Sequence, residues 1–227
     1  MKLYYSKEGL YREIHQIKEF IGIPYDAYDF NIIKYCMNTG VLIESIPFST
    51  HGLRGMAVIG SGDQEDIILL NSNYSKCEQN FYCGHEIIHL CLHRDVGKRS
   101  FNCFENVGAA QNPYLEWHAN EGAAELFVPY KTLLPLIKQK IGLSRDYRVI
   151  ESVKKELADI FNVPEIVIKY RLENLKYEIY QFLNGASLEN IKILSLKQQK
   201  ERGIFVDSLN TISDIDLCEK IKRWKIV

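Results

Sequence analysis

Five residues, His85-Glu86-Ile87-Ile88-His89, constrain this chain more than any other stretch, because their chemistry makes sense only on a helix. At about 100° and 1.5 Å per residue, His85 and His89 point within about 40° of each other and lie about 6 Å apart along the axis. Both imidazoles can then reach one ion, while Glu86, turned about 100° away, is left free to accept a proton from water. Asn80-Phe81-Tyr82-Cys83-Gly84 leads in and Leu90-Cys91-Leu92-His93 follows, so apolar side chains point in nearly every direction, as on a buried helix. Three ionisable groups there are costly without partners, and a bound cation partners all three. The plain structural alternative is a pair of core histidines bonded to backbone carbonyls.

H-E-x-x-H on a helix is the pattern of zinc peptidases, which need a third protein ligand and an open position for water. A metzincin would continue H-x-x-G-x-x-H, but position 92 is Leu and position 95 is Asp, which excludes that class. His93 lies about 12 Å along the axis from His85, too far for a shared ion, and is expected to support the site from outside or to face the surface. The next helical pattern, Leu115 to Val128, offers Glu116. It falls inside the apolar stripe of Leu115, Ala119, Ala123, Leu126 and Phe127, where a lone carboxylate needs a cation. His118, Glu121 and Glu125 fall on the opposite side and are expected to be solvated. Asn120, one turn beyond Glu116, could orient its carboxylate. From the residues alone, Glu116 could instead pair with an arginine or cap a loop.

With these segments in view, the chain resembles the ImmA/IrrE family of metallopeptidases, zinc peptidases of the gluzincin type. The resemblance is carried by Ile67-Ile68-Leu69-Leu70-Asn71, by Phe81 ahead of His85 to His93, by Glu116-Trp117-His118-Ala119-Asn120, and by Ala123 to Pro129. It implies zinc bound by His85, His89 and Glu116, with Glu86 as general base. It also implies a protein substrate, a helix-turn-helix repressor, cut to relieve transcription on mobile elements or in stress responses. Two positions depart from the family pattern: Gly122 stands where Phe is usual, and Ile88 where Gly is common. Both bear on the packing between the two ligand-carrying helices. For the donor that stabilises the oxyanion, Tyr82, Tyr114 and His118 are candidates.

A formal charge of -1 gives no electrostatic case for nucleic-acid binding as the main activity. The opening Met1-Lys2-Leu3-Tyr4-Tyr5-Ser6 lacks the apolar run of a signal peptide, and no stretch approaches membrane-spanning length, so a cytoplasmic protein is expected. Its cysteines form no C-x-x-C pair and are expected to be reduced, with Cys83 and Cys91 buried and pointing away from the ion.

The predicted fold class is α+β, a small three-stranded sheet packed on a zincin-type active-site helix, followed by a mainly helical C-terminal half. Helices are expected at 7–20 and about 26–37, and strands at 41–48, 53–59 and 66–71. A polar connection spans 94–113 and reads as a mobile flap or as a plain flexible linker. Further helices are expected at 149–161 and 164–180. The domain division is 1–130, a catalytic unit with N-terminal helices; 131–185, a helical extension; and 186–227, an appendage for specificity or docking. Residues 157–164 resemble half of a helix-turn-helix, which would make a DNA-binding regulator, but 145–180 carries seven basic and seven acidic residues, not a basic face. A third possibility is a non-catalytic antirepressor that captures its target and uses the metal structurally.

Overall fold

The computed structural model describes residues 4–211 except positions 25, 37, 38, 107, 109, 110 and 143–145; residues 212–227 of the expected appendage therefore lie outside the described residues. The chain divides into two compact units, Met1–Phe127 and Val128–Val227.

The first unit is built on a four-stranded mixed sheet. β1 (Val41–Ile46) runs parallel to β3 (Asp66–Asn71), and β2 (Leu53–Val58) lies antiparallel to β3 and to β4 (Ser100–Phe104), giving the order β1-β3-β2-β4. Alternation along β2 sends Leu53, Gly55 and Ala57 inward and leaves Arg54, Met56 and Val58 half-buried. Around the sheet are α1 (Lys7–Phe20), the short α2 (Ile32–Cys36), α3 (Lys76–Leu92) and α4 (Pro113–Phe127). α3 begins at a capping box: Ser75 Oγ accepts from Glu78 N at 3.3 Å, and Glu78 Oε2 accepts from Ser75 N at 2.9 Å. Such a cap contributes about 1 kcal/mol and fixes where the helix starts, and so where His85 sits along it.

α3 and α4 approach closely through two glycines. A Cβ on Gly84 would lie 2.4 Å from Phe127 Cε2, and one on Gly122 would lie 3.0 Å from Ile14 Cδ1 and 3.3 Å from both γ carbons of Ile88. The two departures from the family pattern therefore face each other. Ile88, completely buried, fills space that the absent side chain at 122 leaves open.

The sheet has four strands, not three, because the connection 94–113 contains β4, whose Phe101 and Cys103 are buried between the more exposed Ser100, Asn102 and Phe104. The helix expected from about 26 shrinks to α2, since Asp29 adopts a left-handed φ of 55° that a helix cannot carry. The solvated face of α4 does not exist: His118, Glu121 and Glu125 are 0%, 2% and 2% exposed. α1 covers that side, with Tyr11 Oη donating to Glu121.

The second unit is helical: α5 (Tyr130–Lys140), α6 (Tyr147–Phe161), α7 (Glu165–Asn174), α8 (Lys176–Leu183) and α9 (Leu196–Glu201). The helix expected over 164–180 breaks at Leu175, which separates α7 from α8. α6 stops at Asn162, whose left-handed φ of 49° caps it, and α7 restarts after Pro164. Lys154, Lys169 and Lys176 pair with Glu151, Glu165 and Glu173 on their own helices or just before them. Arg171 is fully buried and donates through Nε to the Val128 carbonyl at 3.0 Å.

Candidate metal centre

α3 and α4 bring His85, His89 and Glu116 to one point. His85 Nε2 and His89 Nε2 are 3.2 Å apart, and Glu116 lies 3.5 Å from the first through Oε2 and 3.8 Å from the second through Oε1. Zinc–nitrogen bonds of about 2.0–2.1 Å in a tetrahedron separate neighbouring donors by about 3.3 Å, so this spacing suits a small divalent ion. The chemistry of the set agrees: two imidazoles and one carboxylate, all buried, on two helices that pack through glycines. A second set of donor atoms within reach of one another, His85, Glu86 and Cys103, shares His85 with the first.

Each imidazole is held from behind. Asn120 Oδ1 lies 3.1 Å from His85 Nδ1, so Asn120 orients a histidine and not the Glu116 carboxylate expected from its spacing. His89 Nδ1 lies 2.9 Å from His93 Nδ1, and the Phe101 ring stacks on His89 with centroids 4.4 Å apart. His93, outside the converging set, is buried one step behind His89. Its Nε2 lies 3.1 Å from Nδ1 of His118.

The charges follow from burial. Desolvation lowers His89 to about 4, His93 to about 3 and His118 to about 4, so these rings are neutral at pH 7. Burial would raise Glu116, but hydrogen bonds and charge from His85 and His89 outweigh it and hold the group down to about 2. Glu86 behaves oppositely. Complete burial, then the negative charge of Glu116, push it well above the usual carboxyl range, with the backbone amides of Cys103 and Ala57 offsetting only part. Neither carboxylate oxygen finds a hydrogen-bond partner within good geometry among the described residues. A Cβ on Gly55 would come 3.1 Å from Glu86 Oε1, so the missing side chain on β2 makes room for the carboxylate. Such an orphaned acid beside a ligand set is what a neighbouring cation and its water would satisfy.

Of the candidate oxyanion donors, Tyr82 is buried beneath Tyr74 and Arg54, and Tyr114 Oη donates to the Tyr5 carbonyl at 2.6 Å. His118 is turned towards His93. Phe101, Cys103 and Gly55 carry no spacing signal and become visible only once β4 and β2 flank the helix. Cys83 is buried as expected, whereas Cys91 is exposed because α3 ends one residue later, at the surface.

A glutamate-and-two-histidine helix beside a mixed sheet, facing a second helix that supplies an acid, defines a metallopeptidase-like domain of the zincin kind. The chain belongs to the IrrE N-terminal-like domain family of peptidases, whose model matches residues 36–173, more than half of its length. Among solved structures, it is similar at 12% identity and a TM-score of 0.46 to a Mycobacterium tuberculosis transcriptional regulator, over 74% of this chain and 47% of that one. The chain thus spans about half the length of that neighbour. No curated protein matches it. Among the described residues, no helix is long and apolar enough to cross a membrane.

Proposed function

We propose that the chain is a zinc-dependent endopeptidase that cleaves a helix-turn-helix repressor. The observation that carries this is the convergence of His85 Nε2, His89 Nε2 and the Glu116 carboxylate beside the buried carboxylate of Glu86, which has no well-formed hydrogen bond among the described residues. Bound there, the ion would supply a Lewis acid that polarises the scissile carbonyl and makes water acidic enough to attack it. His85 and His89 would hold the ion through Nε2 and carry their protons on Nδ1, where Asn120 and His93 can receive them. Glu116 brings the negative charge that the two neutral rings lack. Glu86, raised by burial, accepts the water's proton on a carboxylate oxygen and returns it to the leaving amine. Gly55 keeps the space around that carboxylate open.

Substrate would lie along β4, an edge strand whose Phe101 and Cys103 flank His89 and Glu86, and pair with it as an added strand. Catalysis would belong to residues 1–130, with 131–185 a helical extension and 186–227 an appendage for specificity or docking. The test is incubation of the purified chain with candidate helix-turn-helix repressors, with and without a chelator. Cleavage that disappears with the chelator and in Glu86→Gln is expected. A repressor that co-purifies intact whether or not metal is present would replace this proposal with a non-catalytic antirepressor.

A further inference from the structure

Behind His89 runs a line of buried histidines, His93 and then His118, of which peptide hydrolysis as described above uses only the first, as the acceptor for His89 Nδ1. His89 Nδ1 meets His93 Nδ1 at 2.9 Å, and His93 Nε2 meets His118 Nδ1 at 3.1 Å. His118 Nε2 is buried with no hydrogen-bond partner among the described residues, and its ring is enclosed by Tyr5, Tyr114 and Trp117. A neutral imidazole has one donor and one acceptor nitrogen, so each contact permits only one donor. A ligand bond from His89 Nε2 fixes everything behind it. His89 must donate from Nδ1; His93 must accept on Nδ1 and donate from Nε2; His118 must accept on Nδ1 and carry its proton on Nε2.

We infer that His93 and His118 are positioning residues forming a neutral imidazole relay, whose tautomers are set by metal loading and which holds His89 in its ligating form. This presupposes the metal centre proposed above. Metal-bound histidines are commonly backed by a carboxylate or a backbone carbonyl, and a carboxylate raises the basicity of the ligand. Here the partner of His89 is an imidazole and that of His85 is a carboxamide, both uncharged. Glu116 is then the negative ligand, and the bound ion keeps more of its positive charge for the substrate carbonyl. The relay also satisfies the proton of a fully buried ring that would otherwise lose its only partner.

The first measurement is the zinc affinity of the full chain, by competition with a chromophoric chelator. His93→Phe should weaken binding by about 10- to 100-fold, and His93→Gln, whose amide oxygen can accept the proton, should recover most of it. His118→Phe should weaken it less, since it acts through His93. Long-range nitrogen–proton NMR of the zinc-loaded wild-type chain reads the tautomers directly, whatever the variants do to folding. It should show His93 protonated on Nε2 and bare on Nδ1. A proton on His93 Nδ1 in the loaded protein, or zinc affinity unchanged in a folded His93→Phe, overturns the relay while leaving the metal centre standing. Wild-type chain that binds no zinc overturns both.

Discussion

Glu86 holds a carboxylate with no well-formed hydrogen bond among the described residues, where burial and Glu116 favour its protonated form more than the backbone amides of Cys103 and Ala57 oppose it. A carboxyl whose folded pKa is raised binds more protons when folded than when unfolded, so it costs stability as pH rises above its unfolded value. In chelator-treated protein, Glu86→Gln should therefore be more stable than wild type at pH 7, with a difference that widens as pH rises from about 4.5. Urea unfolding at several pH values measures it; a pH-independent difference would mean that the carboxylate is already satisfied in solution. With zinc present, the same substitution should leave the metal bound and reduce cleavage by about 10²- to 10⁴-fold. Loss of zinc together with activity would make Glu86 a ligand instead of a base.

At the scale of elements, the contact of α3 with α4 rests on an exchange of bulk between positions 88 and 122. Gly122→Phe forces a ring against Ile14 and Ile88, an overpacking expected to cost about 1–3 kcal/mol or more. Ile88→Gly removes a fully buried side chain, about 2–5 kcal/mol, and adds about 1 kcal/mol for glycine inside a helix. Together they should cost less than their sum by about 0.5–3 kcal/mol, because each change makes room for or fills the other. Strict additivity in urea midpoints would show that the two positions do not share one space. The helix that brings His85 and His89 together was legible in the sequence because its signal is local: the two are four residues apart, and their spacing alone sets their geometry. β4 was not, because the strand character of Ser100–Phe104 comes from pairing with β2, far away in sequence, and its run is short and polar on alternate positions. Helical spacing also failed for His118, Glu121 and Glu125. It separates the two sides of α4 but cannot say that α1 covers the second one. Spacing brings Asn120 to the site but cannot name its neighbour, since its own helix says nothing of where His85 will be.

At the scale of the molecule, every candidate ligand and supporting histidine lies within Met1–Phe127, so acid and metal act on the stability of one compact unit. His89, His93 and His118 fall from 6.5 to about 4, 3 and 4 on folding, which means that the unfolded chain binds more protons than the folded one across this window. Stability of the metal-free protein is therefore fully present above about pH 6.5 and falls as pH drops towards 4, by at most about 3 kcal/mol per ring and by less than the sum for hydrogen-bonded neighbours. Glu116, held down to about 2, extends the loss below pH 4.5. Zinc at 100 times its Kd adds about 2.7 kcal/mol by mass action, and only to the form whose imidazoles are unprotonated. Thermal unfolding with saturating zinc and with chelator, from pH 8 to pH 4, should show a gap in Tm that is widest near neutrality and closes on acidification. Hydrogen exchange should place the added protection in α3, α4 and β4. A gap that stays constant with pH would mean that zinc binds through groups other than these imidazoles, and the centre formed by His85, His89 and Glu116 would have to be given up.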